Sequence, residues 1–222
     1  MLNTLIVRFN NPISYQEIPL FRGAVINAVG NECSQLFHNH NGDGFNYRYP
    51  MIQYKRIHGK AAIVCVGQGT EEIGAFFSSN NFRLKIGNQR EEEFEIESVR
   101  PYRTMVQVWD DAFHYYLRDW LPLNRDNYQR YQSTDSIVDR TRVLEQVLIG
   151  NILSACKGLG ITIEREISCK MVSVDSPSKV YFKAQPMMSF SCEFKSNVTL
   201  PDYIGLGKGA SMGHGIVFRQ KK

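Results

Sequence analysis

Over the first hundred residues the apolar positions switch between strand and helix spacing in a fixed order, and few folds accept that order. The opening LNTLIVRF is a short β-rich run, and YQEIPLFRGAVINAVGNE then sets Ile18, Phe21, Ala24, Val25 and Ala28 at helical spacing. MIQYKRI and AAIVCVG flank the turn His58-Gly59-Lys60 and read as a hairpin. TEEIGAFFSS restores helical spacing, and strands are expected near 82–87 and 93–100. The sum, β-α-β-β-α-β, is a split βαβ or ferredoxin-like unit.

The same order recurs less cleanly in the second half. RTMVQVWDDAFHYYLRD supplies extended chain, and DSIVDRTRVLEQVLIGNILSACKGLG predicts the strongest helix. Asp135 or Ser136 caps it, Ile137, Leu144, Val147, Leu148 and Ile152 form its buried stripe, and Gly158 stops it. ITIEREISCKMVSV and KVYFKAQPMMSFSCEF predict about three strands around an Asp-Ser-Pro-Ser turn, and IVFRQ predicts the last. No second helix is legible before that final strand. The expectation is an α+β chain of two tandem ferredoxin-like units, the second abbreviated or decorated. One spans 1–100 and carries paired histidines, and the other spans 101–222 and carries a glycine-rich loop; one mixed α+β domain is the alternative.

Composition narrows the class. The 222 residues are 43% hydrophobic and 22% charged, no apolar run approaches the ~20 residues of a membrane span, and MLNTLIVRFNN lacks the basic lead-in of a signal peptide. A cytoplasmic location is expected. Cys33, Cys65, Cys156, Cys169 and Cys192 contain no C-x-x-C pair, which suits reduced core thiols better than disulfides or zinc ligands. The net charge of +4 comes from the end of the chain, where Lys195, Lys208, Arg219, Lys221 and Lys222 face Asp202 alone. Such a terminus attracts polyanions, or serves only solubility.

In that basic end, IGLGKGASMGHGIVF places Gly205, Gly207, Gly209, Gly213 and Gly215 within eleven residues. A dinucleotide fingerprint must open a helix within a longer βαβ unit, and too little chain remains. A P-loop needs a hydroxyl residue after its lysine, and Lys208 is followed by Gly209. What remains is a backbone whose N–H groups can approach phosphate closely beside Lys208, or a tight crossover between strands. The other unusual stretch is FHNHNGDGFNYRYP, where His38 and His40 sit one residue apart among turn formers and aromatics. Two imidazoles titrating near neutrality suit acid–base chemistry; H-x-H also suits a metal, and an idle polar loop is the bland alternative.

Glycine loop, tandem units and histidines just past the first helix together resemble the repeat-associated RNA-binding (RAMP) superfamily of CRISPR systems. More narrowly, they resemble its precursor-crRNA-processing endoribonucleases, in the branch with a paired-histidine segment. Many members carry an aromatic between the last two loop glycines, where this chain has His214. The resemblance implies metal-independent cleavage in which a ribose 2′-hydroxyl attacks the adjacent phosphate, leaving a 2′,3′-cyclic phosphate. His38 and His40 would share acid and base roles in either order. A cation near the phosphate would come from Lys55, with Arg48 and Arg56 as neighbours in sequence, and Tyr47 or Tyr49 would stack on a base or bond the site. Gly205, Gly207, Lys208, Gly209, Gly213, His214 and Gly215 would hold RNA together with Tyr47 and Arg48. The implied partner is CRISPR repeat RNA, with other effector subunits and a second copy of the chain as further candidates, and no cofactor, metal or membrane is expected. A non-catalytic crRNA-binding subunit and a metal-dependent hydrolase are the competing readings.

Overall fold

The structure, a computed structural model, describes residues 1–30, 37, 49–78, 82–87 and 90–220. It divides into two compact units, one of Met1–Thr104 with Ser211–Gly213, the other of Met105–Ala210 with His214–Lys222.

Unit 1 is built on β1 (Leu2–Pro12), β2 (Ile52–Ile57), β3 (Lys60–Val66) and β6 (Ile96–Thr104). These form an antiparallel sheet in the order β2-β3-β1-β6, which is the 4-1-3-2 order of a ferredoxin-like unit read from the other edge. Helix α1 (Ile18–Val29) follows a 3-10 turn in which Ser14 and Glu17 form a capping box. The Glu17 carboxyl is held below its ordinary value by the Ser14 backbone and hydroxyl. Gly30, at φ 83, ends the helix. Two short helices, α2 (Gly69–Glu72) and α3 (Gly74–Ser78), occupy the second helical position. An additional hairpin, β4 (Arg83–Ile86) with β5 (Arg90–Glu93), precedes β6. Asn11 holds it: its Nδ2 donates to Glu92 Oε1 (2.6 Å) and to Glu93 O (2.9 Å), and its Oδ1 accepts from Glu95 N (3.1 Å). Phe94 is thereby turned into the core, stacked on Phe21 at 5.3 Å and edge-on to Phe9 at 5.6 Å. Burying each ring favours the fold by roughly 1.5–3 kcal/mol.

Unit 2 repeats the order. Its β7 (Val108–Trp120), β8 (Cys169–Val174), β10 (Gln185–Val198) and β11 (Ile216–Arg219) lie as β11-β7-β10-β8, again 4-1-3-2. The ferredoxin-like expectation therefore holds for both units. Helix α4 (Arg125–Gln132) precedes the long α5 (Ile137–Gly158), and β9 (Ser178–Phe182) pairs with β10 as a protruding hairpin. Ser136 caps α5. Two details of the α5 reading need correction. Ile137 is 80% exposed, because the first turn has not yet reached the sheet; the buried face is Val143, Leu144, Val147, Leu148, Ile152, Ala155 and Cys156. Gly158 is the last helical residue, and the left-handed glycine beyond the helix is Gly160, at φ 71. The second helix of the fold is replaced by residues 199–215, which hold the glycines. Among the described residues, no helix is long and apolar enough to cross a membrane.

Candidate functional site

The glycine segment begins at a fixed point. Tyr115, buried in β7, donates its hydroxyl to Val198 O (3.1 Å) and accepts from Leu200 N (3.0 Å), pinning the chain where β10 ends. Burial pushes this phenol up to about 12. Tyr203 N then donates to Val217 O (2.6 Å), Val217 N to Ile204 O (3.0 Å) and Leu206 N to Gly215 O (2.8 Å), so 203–206 run antiparallel beside 215–217. Residues 207–214 project from this closure.

The loop is packed closely on its own unit. A Cβ on Gly215 (φ 62) would collide with the Leu206 carbonyl oxygen. One on Gly207 (φ 78) would lie 2.7 Å from Asn151 Oδ1 and 2.9 Å from Trp120 Nε1, the two groups that hydrogen-bond each other beneath it. One on Gly209 (φ 75) would meet His214 and Phe182, and one on Gly205 would meet the Ala210 backbone at 2.7 Å. All four let the chain pass close to its own interior, and Gly207, Gly209 and Gly215 do so in left-handed conformations. The turn is thus preorganised, with Lys208 exposed and 5.7 Å above the Phe182 ring. Among the described residues, no acceptor receives the N–H of Gly207, Lys208 or Gly209.

His214 stands edge-on to Phe182 at 5.5 Å, so it fills the aromatic position of the loop by packing as an aromatic would. Its Nδ1 lies 3.3 Å from Asp119 O, a carbonyl that can only accept, so Nδ1 carries the proton. Asp119 O also accepts from Gly215 N at 3.0 Å. Asp119 has φ 52 within a register shift of β7, and its N–H donates to Ser191 Oγ. That bulge aims one carbonyl at the loop. Asp119, Phe182 and the Trp120–Asn151 pair were not legible in the sequence. A non-glycine bulge leaves no compositional mark.

Gly213 (φ 82) belongs to unit 1 together with Ser211 and Met212. A Cβ there would lie 2.5 Å from Ile18 Cδ1 of α1. Ser211 O accepts from Tyr54 N (2.9 Å), and Met212 bridges Tyr54 in parallel. Residues 211–213 therefore line the edge of β2 within unit 1.

His38, His40, Tyr47 and Arg48 lie outside the described residues, as does Cys33. Phe37, covalently before His38, is 2% exposed in the unit 1 core, and Pro50 lies two residues before β2, so both flanks of 38–48 belong to unit 1. Lys55, expected to offer a cation to phosphate, is instead fully buried, within a run of four buried residues in β2. The strand has no solvated face at that point, so alternation fails as a guide. His58 sits in the β2–β3 turn at φ 50, with Nδ1 3.0 Å from an Arg8 nitrogen. His114 is a sheet-face residue of β7 beside Glu193 (3.4 Å). Cys65, Cys156, Cys169 and Cys192 are buried free thiols. Burial raises all four, Cys156 and Cys169 to about 11 and Cys192 to about 12, so none is poised as a nucleophile.

Comparison with known proteins agrees with this architecture. Residues 1–100 match the Cas6b N-terminal domain family and residues 107–220 the Cas6b C-terminal domain family. An uncharacterized protein of Methanocaldococcus jannaschii is 33% identical over 104 residues, 47% of this chain and 69% of that protein. A crystal structure of Cas6b is 30% identical with a TM-score of 0.88, over 99% of this chain and 100% of the other. A CRISPR RNA processing endoribonuclease Cas6b is 27% identical with a TM-score of 0.75, over 99% of each chain. Both halves and the glycine segment are thus accounted for together, and the chain belongs to the Cas6b family.

Proposed function

We propose that this protein is a CRISPR RNA-processing endoribonuclease that binds repeat RNA at its glycine loop and cuts it without a metal ion. The observation that carries the reading is the closed glycine turn of unit 2, in which Lys208 is exposed and the N–H groups of residues 207–209 meet no acceptor among the described residues. The fixed loop supports phosphate recognition. Its exposed Lys208 and the N–H groups of residues 207–209 are donors held in place before ligand arrives, so little ordering is needed on binding. Exposed Lys208 is better suited to meet a phosphate than buried Lys55.

In the proposed reaction one imidazole of the His38/His40 pair removes the ribose 2′-hydroxyl proton. The 2′-oxygen attacks phosphorus, and the P–O5′ bond breaks as the other imidazolium donates its proton to the leaving oxygen. The products are a 2′,3′-cyclic phosphate and a 5′-hydroxyl. Histidine suits both steps because neutral and protonated forms coexist near pH 6.5.

The test is incubation of the protein with repeat RNA in excess EDTA. Cleavage is expected, with a cyclic phosphate on the upstream product, and a 2′-deoxy substitution at the cut site should abolish it. His38→Ala and His40→Ala should slow cleavage about 10²–10⁴-fold with RNA affinity nearly unchanged. A shifted but intact RNA would identify a non-catalytic binding subunit, and full activity in the double variant would remove both histidines from the mechanism.

A further inference from the structure

Unit 2 contains a cavity of about 690 Å³ between the start of α4, the β9–β10 hairpin and the glycine loop. That volume falls within the ~300–1,000 Å³ of small-ligand sites. Its charged lining is of one sign. Arg125, Lys179 and Lys208 face it, and among the described residues no carboxylate does. None of the three cations is ion-paired with a described carboxylate, whereas Arg8, Lys60, Arg90 and Arg165 elsewhere on the protein all are. Lys208 and Lys179 lie over the Phe182 and Tyr181 rings at 5.7 and 5.8 Å, yet three cations around one cavity with no described carboxylate partner repel one another, and an anion removes that penalty.

The remaining walls are flat or polarisable. Tyr128 of α4 lines one side with 45% of its surface exposed, and Met187 and Met188 of β10 line the other. Helix α4 buries no residue, so the core does not explain its presence. It is held at its edges: Asn124 Oδ1 caps it through Asn127 N (2.8 Å), Arg130 donates to Gln146 Oε1 (2.7 Å), and the Tyr131 ring stands edge-on to Phe190. A helix so anchored presents Arg125 and Tyr128 to the cavity at little expense to packing. An exposed aromatic among unpaired cations and thioethers suits a π-surface attached to phosphate.

We infer that this cavity takes one unstacked nucleotide of the bound RNA, its base against Tyr128 and the methionines and its phosphates at Arg125, Lys179 and Lys208. The inference rests on the proposed RNA-binding function. Lys208 favours a nucleotide within a strand over a free one, because the same side chain belongs to the loop that would hold the RNA backbone.

The experiment is an abasic scan. Repeat RNAs each lacking one base are titrated against the protein at one fixed salt concentration. One position should weaken binding about 5- to 100-fold, the range of a single base–aromatic stack. Tyr128→Ala should weaken the intact RNA by a similar factor and become indifferent to base loss at that position, while Tyr128→Phe keeps the wild-type pattern. Arg125→Gln and Lys179→Gln should each lower the salt-dependence slope by about one. An unchanged melting temperature confirms that the Tyr128 variants, altered at an exposed site, are folded. A flat scan, or a base-specific loss that persists undiminished in Tyr128→Ala, overturns the inference and leaves RNA binding intact as a separate finding. Saturable binding of AMP or UMP with a flat scan would assign the cavity to free nucleotides and also overturn it. Failure of the wild type to bind any RNA would sink the proposed function and this inference together.

Discussion

At the scale of residues, the glycine loop separates two roles that composition merges. Gly215 has φ 62 and its missing Cβ leaves room for the Leu206 carbonyl, while Lys208 two turns of the backbone earlier is exposed. Gly215→Ala combines a left-handed alanine with a backbone collision, and a loss of about 1–3 kcal/mol or more in stability is expected, read as a fall in melting temperature. Lys208→Ala should leave melting within about 0.5 kcal/mol of wild type and reduce the slope of log affinity against log salt by about one. Equal loss of stability in both variants would contradict this division. The sequence announced the loop through glycine density alone, and it could not announce its packing, because a missing side chain says nothing about which group occupies its place. The Trp120–Asn151 pair under Gly207 is set 56 residues or more away in sequence. The burial of Lys55 was hidden for a related reason: a lysine in a strand implies solvent until both faces of that strand are seen to be covered.

At the scale of elements, α5 shows how one polar contact orients a helix on its sheet. Glu145 is 9% exposed on the buried side of α5, where its Oε1 accepts from Met171 N (3.0 Å) and its Oε2 from Lys170 Nζ (3.2 Å), both in β8. Glu145→Ala should destabilise unit 2 by about 1–3 kcal/mol, because Met171 N–H loses its side-chain acceptor. Glu145→Gln keeps a carbonyl oxygen and should restore most of the loss; denaturant melts of the two variants measure the difference. The helix itself was legible from its stripe, yet Glu145 within that stripe was not singled out, since a carboxylate in an amphipathic pattern reads as a solvated face. Helix α4 escaped the sequence entirely. RDNYQRYQ contains no apolar periodicity, and a helix that buries no residue leaves no core signature.

At the scale of the molecule, two units of the same 4-1-3-2 strand order follow from local patterns that each specify strand, helix and hairpin in turn. The course of the far end of the chain was not legible, because Ser211–Gly213 enter unit 1 through backbone bonds that any residue can make. This course can be tested in the intact protein through Gly213, whose Cβ would lie 2.5 Å from Ile18 Cδ1. Gly213→Ala should push residues 211–213 from the edge of β2, break the bond from Tyr54 N to Ser211 O and speed hydrogen exchange at the Tyr54 amide. Ile18→Ala removes the obstructing methyl and alone should cost about 2–4 kcal/mol, since Ile18 is 1% exposed. Combined, the two changes should destabilise by at least ~0.5 kcal/mol less than their sum, and Tyr54 should regain part of its protection, although φ 82 still strains the alanine. Strict additivity, with the Tyr54 amide as protected in Gly213→Ala as in wild type, would mean that the glycine stretch does not seal this strand.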